Sequence, residues 1–386
     1  MPLTKLHQLS ELGQSLWLDY ISRSLIESGK LRNLIDLGLR GMTSNPTIFN
    51  QAVNAAADYD QKILSLHTKG KSPFEIYDDL TIKDIQDAAD LFRDLYEKTN
   101  RSDGYVSLEI NPKLARKTPE SIAEGLRLFK KVNRPNVMIK VPSTEAGFPV
   151  IEELLSQGVS VNVTLVFSLG QYTKTAQAFL AGVKRFLDHG GDVKKIRSVA
   201  SLFVSRIDTL VDQGLDEKMA AAQDPALKNQ LASLKGKAAV ANARLMFEEF
   251  KAIFQSKTFS SLAERGVAPQ RVLWASTGTK NPQYSDLKYV TELMCRPTVN
   301  TVPEKTLQAF LDHGTVQEAS WRSQETKEIL EELKRCGLDI REVCQKLLED
   351  GVAAFEKSFD ELLQSIEHKA RRLSNKDIPS IESSRI

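Results

Sequence analysis

Lys140 lies inside an apolar run, Val137-Met138-Ile139-Lys140-Val141, that reads as a buried strand. Lysine is almost never fully buried unless it is paired or used. Side chains alternate faces along a strand, so residues two apart share a face. By that parity Lys140 goes with Met138, away from Val137, Ile139 and Val141. The same split recurs in other runs. Ser107 and Glu109 oppose Val106, Leu108 and Ile110, and Asn162 and Thr164 oppose Val161, Val163 and Leu165. Asp19, with Trp17, opposes Leu18; Ser201 and Phe203 oppose Ala200, Leu202 and Val204; Thr298 and Asn300 oppose Val299. Taken alone, a buried lysine fits a structural ion pair, and a strand asparagine or threonine fits a satisfied core polar group. Lys140, Asp19, Glu109, Asn162, Thr164 and Ser201 converging on one interior would be costly without a use.

The residue types narrow that use. None of the histidines (His7, His67, His189, His313, His368) falls in a strand pattern, which argues against a serine–histidine device and a histidine-rich metal site. Nothing calls for a metal or an organic cofactor. The nucleophile that remains is a lysine amine, which desolvation in general makes more available. Such an amine condenses with a ketone to a Schiff base, and the iminium is an electron sink for breaking a neighbouring carbon–carbon bond. Two carboxylates in different environments can divide the proton transfers this requires. Arg206 follows the sixth strand run and Lys280 the seventh, with Ser205, Ser276, Thr277 and Thr279 beside them. Each cation alone reads as an ordinary solvated charge; at one rim they suit a phosphate.

The elements that must position these residues alternate. Strand runs are expected at 15–21, 38–44, 105–111, 137–142, 159–167, 198–205, 271–277 and 296–302. Between them lie helical patterns. "KDIQDAADLFRDLYEKT" puts Ile85, Ala88, Ala89, Phe92 and Leu95 on one face. "PESIAEGLRLFKKV" opens on a helix-start proline, and "LGQYTKTAQAFLAGVKRFLDHGG" stops at glycines. Residues 226 to 256 read as one long helix. Eight strand–helix units predict an α/β fold closed as a (β/α)8 TIM barrel. An open doubly wound sheet is the competitor, but no glycine-rich phosphate turn follows the first strand. From about 303 the pattern is helical, and these helices are expected to pack on the barrel. Residues 1–372 are thus read as one barrel domain with C-terminal helices, and 373–386 as a polar tail.

Composition sets the frame. The 386 residues are 41% hydrophobic and 26% charged, with 52 basic and 50 acidic side chains. That balance gives no reason to expect nucleic acid or an anionic membrane as partner. No run approaches a spanning helix, and the N-terminus lacks a signal-peptide core. Cys295, Cys336 and Cys344 are too few and scattered for a disulfide framework, and read as buried thiols in a reducing cytoplasm. A monomer or a homodimer fits equally well.

"LWLDYISRSLI", "GMTSNPTIF", "YVSLEINP", "VMIKVPSTEAG", "VSVNVTLVFS", "ASLFVSRID", "WASTGTKNP" and "TVNTVP" together resemble the transaldolase family of Schiff-base class I aldolase-type enzymes. "KGKAAVANARL" and "WASTGTKNP" look most like its longer bacterial and plant branch. The resemblance implies transfer of dihydroxyacetone from sedoheptulose 7-phosphate or fructose 6-phosphate to an aldose phosphate such as glyceraldehyde 3-phosphate or erythrose 4-phosphate, in the pentose phosphate pathway. It implies that Lys140 forms the Schiff base, and that Glu109 is the acid/base acting through a water also held by Thr164. Asp19 would take the proton of the C4 hydroxyl. Asn45 and Asn162 would position the dihydroxyacetone, with Ser201 on its terminal hydroxyl, and Arg206 would hold the phosphate. Lys280 stands where the shorter branch has a second arginine, keeping charge but losing bidentate geometry. Two alternatives remain. A fructose 6-phosphate aldolase of the same superfamily would be shorter, with glutamine in place of Glu109 and often tyrosine in place of Phe203. A catalytically silent sugar-phosphate-binding barrel would have lost the lysine or a carboxylate.

Overall fold

Eight short strands, each buried on both faces, need cover on both sides, and only a closed sheet wrapped by helices provides it. The computed structural model, which describes residues 3–55 and 57–376, has that arrangement. The strands are β1 (Gln14–Asp19), β2 (Gly41–Thr43), β3 (Tyr105–Glu109), β4 (Val137–Pro142), β5 (Val161–Val166), β6 (Ser198–Phe203), β7 (Arg271–Ala275) and β8 (Thr298–Val302). They pair in parallel in chain order and close as β8 meets β1. Closure excludes the open doubly wound sheet. The strands lie where the sequence places them, with trimmed ends, except that β1 starts one residue earlier than expected, at Gln14.

Interior packing is tight where it is not polar. Trp17 is fully buried, and a Cβ at its partner Gly41 would come within 2.7 Å of the indole ring. Glycine there is what lets β2 approach a tryptophan inside the barrel. The outer helices begin and end on local signals. The helix Pro73–Leu91 starts with a capping box between Ser72 and Glu75, and Leu169–Asp188 with one between Ser168 and Gln171. The helix Thr118–Val132 carries proline in its first turn and ends at Asn133 in the left-handed region.

Four expectations need correction. Residues 226–256 form two helices, Pro225–Leu234 and Ala238–Phe254. The break is at Gly236, whose φ of 68° leaves the helical region while its N–H is captured by Asp212 Oδ1 at 2.9 Å. The pattern in 83–99 divides at Phe92 into Pro73–Leu91 and Arg93–Lys98. On β5 the alternation stops after Thr164, because Leu165 adopts φ 58° at a register shift against β6. On β8 the inward residue at the C-terminal end is Thr301, so Thr298 and Asn300 face the helices; Asn300 Oδ1 accepts from Thr277 there.

Beyond β8 come the helices Glu304–His313, Ser323–Arg335 and Ile340–Lys376. The last, 37 residues long, crosses the C-terminal mouth of the barrel. Thr47 Oγ1 donates to Ser358 Oγ at 2.8 Å, Phe359 meets Tyr77 edge-on at 5.1 Å, and Lys369 pairs with Asp60 at 2.6 Å. This helix includes the first residues of the expected tail, whose remainder lies outside the described residues. All three cysteines are free thiols; Cys295 and Cys344 are buried and Cys336 is partly so. Among the described residues no helix is long and apolar enough to cross a membrane.

Candidate active site

Strand ends deliver the interior polar groups to one level. Parallel pairing sets Glu109 beside Lys140, and Lys140 beside Asn162, with Thr164 one rung further along beside Pro142. Asn162 is only the second residue of β5. The stagger of the barrel brings it level with Lys140.

The Lys140 side chain is 5% exposed; its ammonium is 3.6 Å from Glu109 Oε2 and donates to the Ser44 carbonyl at 3.2 Å. The Phe355 ring, from the C-terminal helix, has its centroid 5.9 Å from Nζ. Burial pushes the Glu109 carboxyl up to about 7, against the pull of Lys140, and the charge of Asp19 adds to the rise. Glu109 Oε2 and Thr164 Oγ1 are buried and have no hydrogen-bond partner among the described residues. Buried atoms of that kind suit a bound water or a substrate hydroxyl.

Across the cavity, Thr43 Oγ1 donates to Asp19 Oδ1 at 2.6 Å and is itself 2.7 Å from Thr301 Oγ1. The Asp19 carboxylate is thereby aimed by a hydroxyl relay from β8 through β2. Asn45 Oδ1 caps the helix Pro46–Ala55 by accepting from Ile48 N–H at 3.0 Å. The cap occupies the oxygen and leaves the amide nitrogen as a donor.

A cavity of about 160 Å³ collects most of the expected residues: Asp19, Asn45, Lys140, Thr164, Ser201, Phe203, Arg206 and Lys280. Glu109 and Asn162 do not line it. Asn162 is fully buried, donating to Ser107 Oγ at 3.0 Å and accepting from Ser201 Oγ at 2.7 Å. It supports Ser201 from below rather than facing the cavity. Of the neighbouring hydroxyls, Ser276 lines the cavity, while Thr277 donates to the Thr301 carbonyl of β8 and Thr279 to the Ser285 carbonyl of its own loop.

At the rim, Arg206 stands in the first turn of the helix Ser205–Ala221, its guanidinium 5.3 Å from the Phe203 ring centre. Burial lowers its pKa, which the charge of Asp19 partly offsets. Lys280 is exposed. Among the described residues neither cation lies within ion-pair distance of a carboxylate, so both can take an anion. Sequence reasoning missed Thr43, Thr301 and Phe355. The "GMTS" hydroxyl of β2 was a readable signal for the first; nothing local marks the other two.

No group of three or more histidine, cysteine or carboxylate side chains among the described residues is arranged to hold a metal ion. What the arrangement offers is a buried primary amine, a carboxyl poised near neutrality beside it, a second carboxylate opposite, and a cationic rim.

The chain is similar in sequence to known proteins. Residues 16–366 match the family model described as Transaldolase/Fructose-6-phosphate aldolase. A protein of Trichodesmium erythraeum named Transaldolase is 43% identical over 378 residues, covering 97% of this chain and 100% of that one. One of Saccharopolyspora erythraea with the same name is 46% identical over 366 residues, 94% of this chain and 97% of that one. One of Thermobifida fusca, also named Transaldolase, is 43% identical over 364 residues, with the same two coverages.

Proposed function

The chain belongs to the transaldolase/fructose-6-phosphate aldolase family, and from that premise we propose that it moves a dihydroxyacetone unit between sugar phosphates through an imine on Lys140. One observation carries this reading: a buried amine lines the cavity 3.6 Å from a buried carboxyl, and the rim bears two cations that have no carboxylate partner among the described residues.

The steps take the roles that the resemblance implies for these side chains. The Lys140 amine adds to the C2 carbonyl of a ketose phosphate, and Glu109 supplies the proton with which the carbinolamine loses water. A water held by Glu109 and Thr164 relays that proton. Asp19 removes the proton of the C4 hydroxyl. The C3–C4 bond then breaks, its electron pair flows into the iminium to give an enamine, and an aldose phosphate leaves. C3 of the enamine attacks the aldehyde of the acceptor, Asp19 returns the proton, and water releases the new ketose and the free amine. Asn45 holds the dihydroxyacetone hydroxyls from the side, Ser201 takes the terminal one, and Asn162 acts by fixing Ser201. Arg206 and Lys280 receive the phosphate.

Transfer is favoured over simple cleavage by Glu109 and Phe203, where the resemblance gives the aldolases glutamine and often tyrosine. The test compares turnover of fructose 6-phosphate with and without erythrose 4-phosphate. Transfer predicts sustained turnover only with the acceptor. Free dihydroxyacetone released at the full rate without acceptor would overturn it.

A further inference from the structure

Two buried carboxylates stand outside the cavity and have no role in the steps above. Asp208 and Asp212 lie one turn apart on the helix Ser205–Ala221, the helix whose first turn carries Arg206. They are 2% and 7% exposed, yet among the described residues neither is within ion-pair distance of a cation. Buried carboxylates without a cation are expensive and must be met by several dipoles. Here each splits its two oxygens between the same two segments. Asp212 Oδ1 accepts from Gly236 N–H at 2.9 Å, and Asp208 Oδ1 from Ala239 N–H at 2.7 Å. Asp212 Oδ2 accepts from the Tyr284 hydroxyl at 2.6 Å, and Asp208 Oδ2 from the Tyr289 hydroxyl at 2.9 Å. Burial pushes the Asp208 carboxyl up to about 6, although its two donors act to lower it.

Tyr284 and Tyr289 bound the far side of the loop that follows β7. Its near side is fixed at Thr277, whose hydroxyl reaches Asn300 Oδ1 at 2.9 Å and the Thr301 carbonyl at 3.0 Å. Lys280 sits between these two pins. Among the described residues it has no ion-pair partner, so the loop and not an ion pair sets where its ammonium stands. Gly236 completes the far pin: a Cβ there would come within 2.7 Å of the Tyr284 ring, so the ring rests directly on the helix break. Holding an exposed lysine ready for an anion lowers the ordering cost of binding.

We propose that Asp212 and Asp208, acting through Tyr284 and Tyr289, position the loop so that Lys280 meets the substrate phosphate at the same rim as Arg206. The carboxylates and tyrosines are positioning residues, and the inference rests on the phosphate role given to that rim. It makes the helix after β6 the common mount for both cations, one directly and one through a clamp.

The test is a double-mutant cycle between Tyr284→Phe and Lys280→Ala, read on two acceptors at saturating fructose 6-phosphate. Tyr284→Phe keeps the ring on Gly236 and removes only the hydroxyl. It is expected to raise KM for erythrose 4-phosphate about 3- to 10-fold, with kcat and the KM for unphosphorylated glyceraldehyde unchanged. Lys280→Ala is expected to raise the KM for erythrose 4-phosphate as well, and the double variant to match Lys280→Ala alone rather than multiply the two effects. Asp212→Asn provides a second disruption of the clamp with the same expected selectivity. An unchanged KM in both clamp variants, an equal rise for both acceptors, or multiplying effects would overturn the proposal. If the unaltered enzyme shows no preference for the phosphorylated acceptor, the phosphate reading of the rim itself fails; a preference that Tyr284→Phe leaves intact sinks only the clamp.

Discussion

At Glu109 burial and ion pairing pull in opposite directions, and burial wins. A carboxyl raised to about 7 is protonated in a substantial fraction of molecules near neutrality, and so can give a proton during carbinolamine dehydration. The protonated fraction falls as pH rises through that value, so imine formation is expected to slow on the alkaline side. Glu109→Gln should lower the rate of imine formation on the order of 10²-fold and erase that limb of the pH profile. Borohydride trapping of the adduct over time at a series of pH values measures both. Sequence parity found the face on which Glu109 and Asn162 lie, but parity carries no information about depth. Only the stagger of the barrel reveals that Asn162 is sealed beneath Ser201. Thr301 was hidden for a related reason: β8 has hydroxyls on both faces, and alternation alone cannot choose between them.

Among the elements, the C-terminal helix has the role least legible in the chain. Its amphipathic pattern announces a helix that packs on something, but the pattern of one helix cannot say which surface it crosses. It spans the mouth of the barrel. A Cβ at Gly351 would come within 3.1 Å of Leu165 Cδ2 and 3.8 Å of an Arg206 nitrogen, and Phe355 one turn later covers Lys140. An apolar roof over an iminium restricts the approach of water, and excluding water is one way a site protects a reactive intermediate. Phe355→Ala is therefore expected to raise acceptor-independent release of dihydroxyacetone relative to transfer, while the Lys140 adduct still forms. Quantifying free dihydroxyacetone against transferred product checks it, and an unchanged ratio would count against the roof. The break at Gly236 was hidden for a similar reason. Either flanking segment is a good helix former, and the feature that stops the helix is Asp212, 24 residues away.

For the whole molecule, the barrel was legible because eight apolar runs alternate with amphipathic ones, and parity in several of them pointed polar groups the same way. Closure then does what no single element can. It brings Asp19 from the first strand, Lys140 from the fourth and Arg206 after the sixth to the wall of one cavity. Local pattern could not supply the clamp or the roof, which join segments far apart in the chain. The central claim remains the covalent use of Lys140, and one measurement bears on it most directly. The protein is incubated with fructose 6-phosphate and borohydride, digested, and mapped by mass spectrometry. Covalent use of Lys140 predicts a reduced dihydroxyacetone adduct on the peptide containing Lys140, and none in Lys140→Ala. An adduct on another residue, one that persists in Lys140→Ala, or no adduct at all would contradict it.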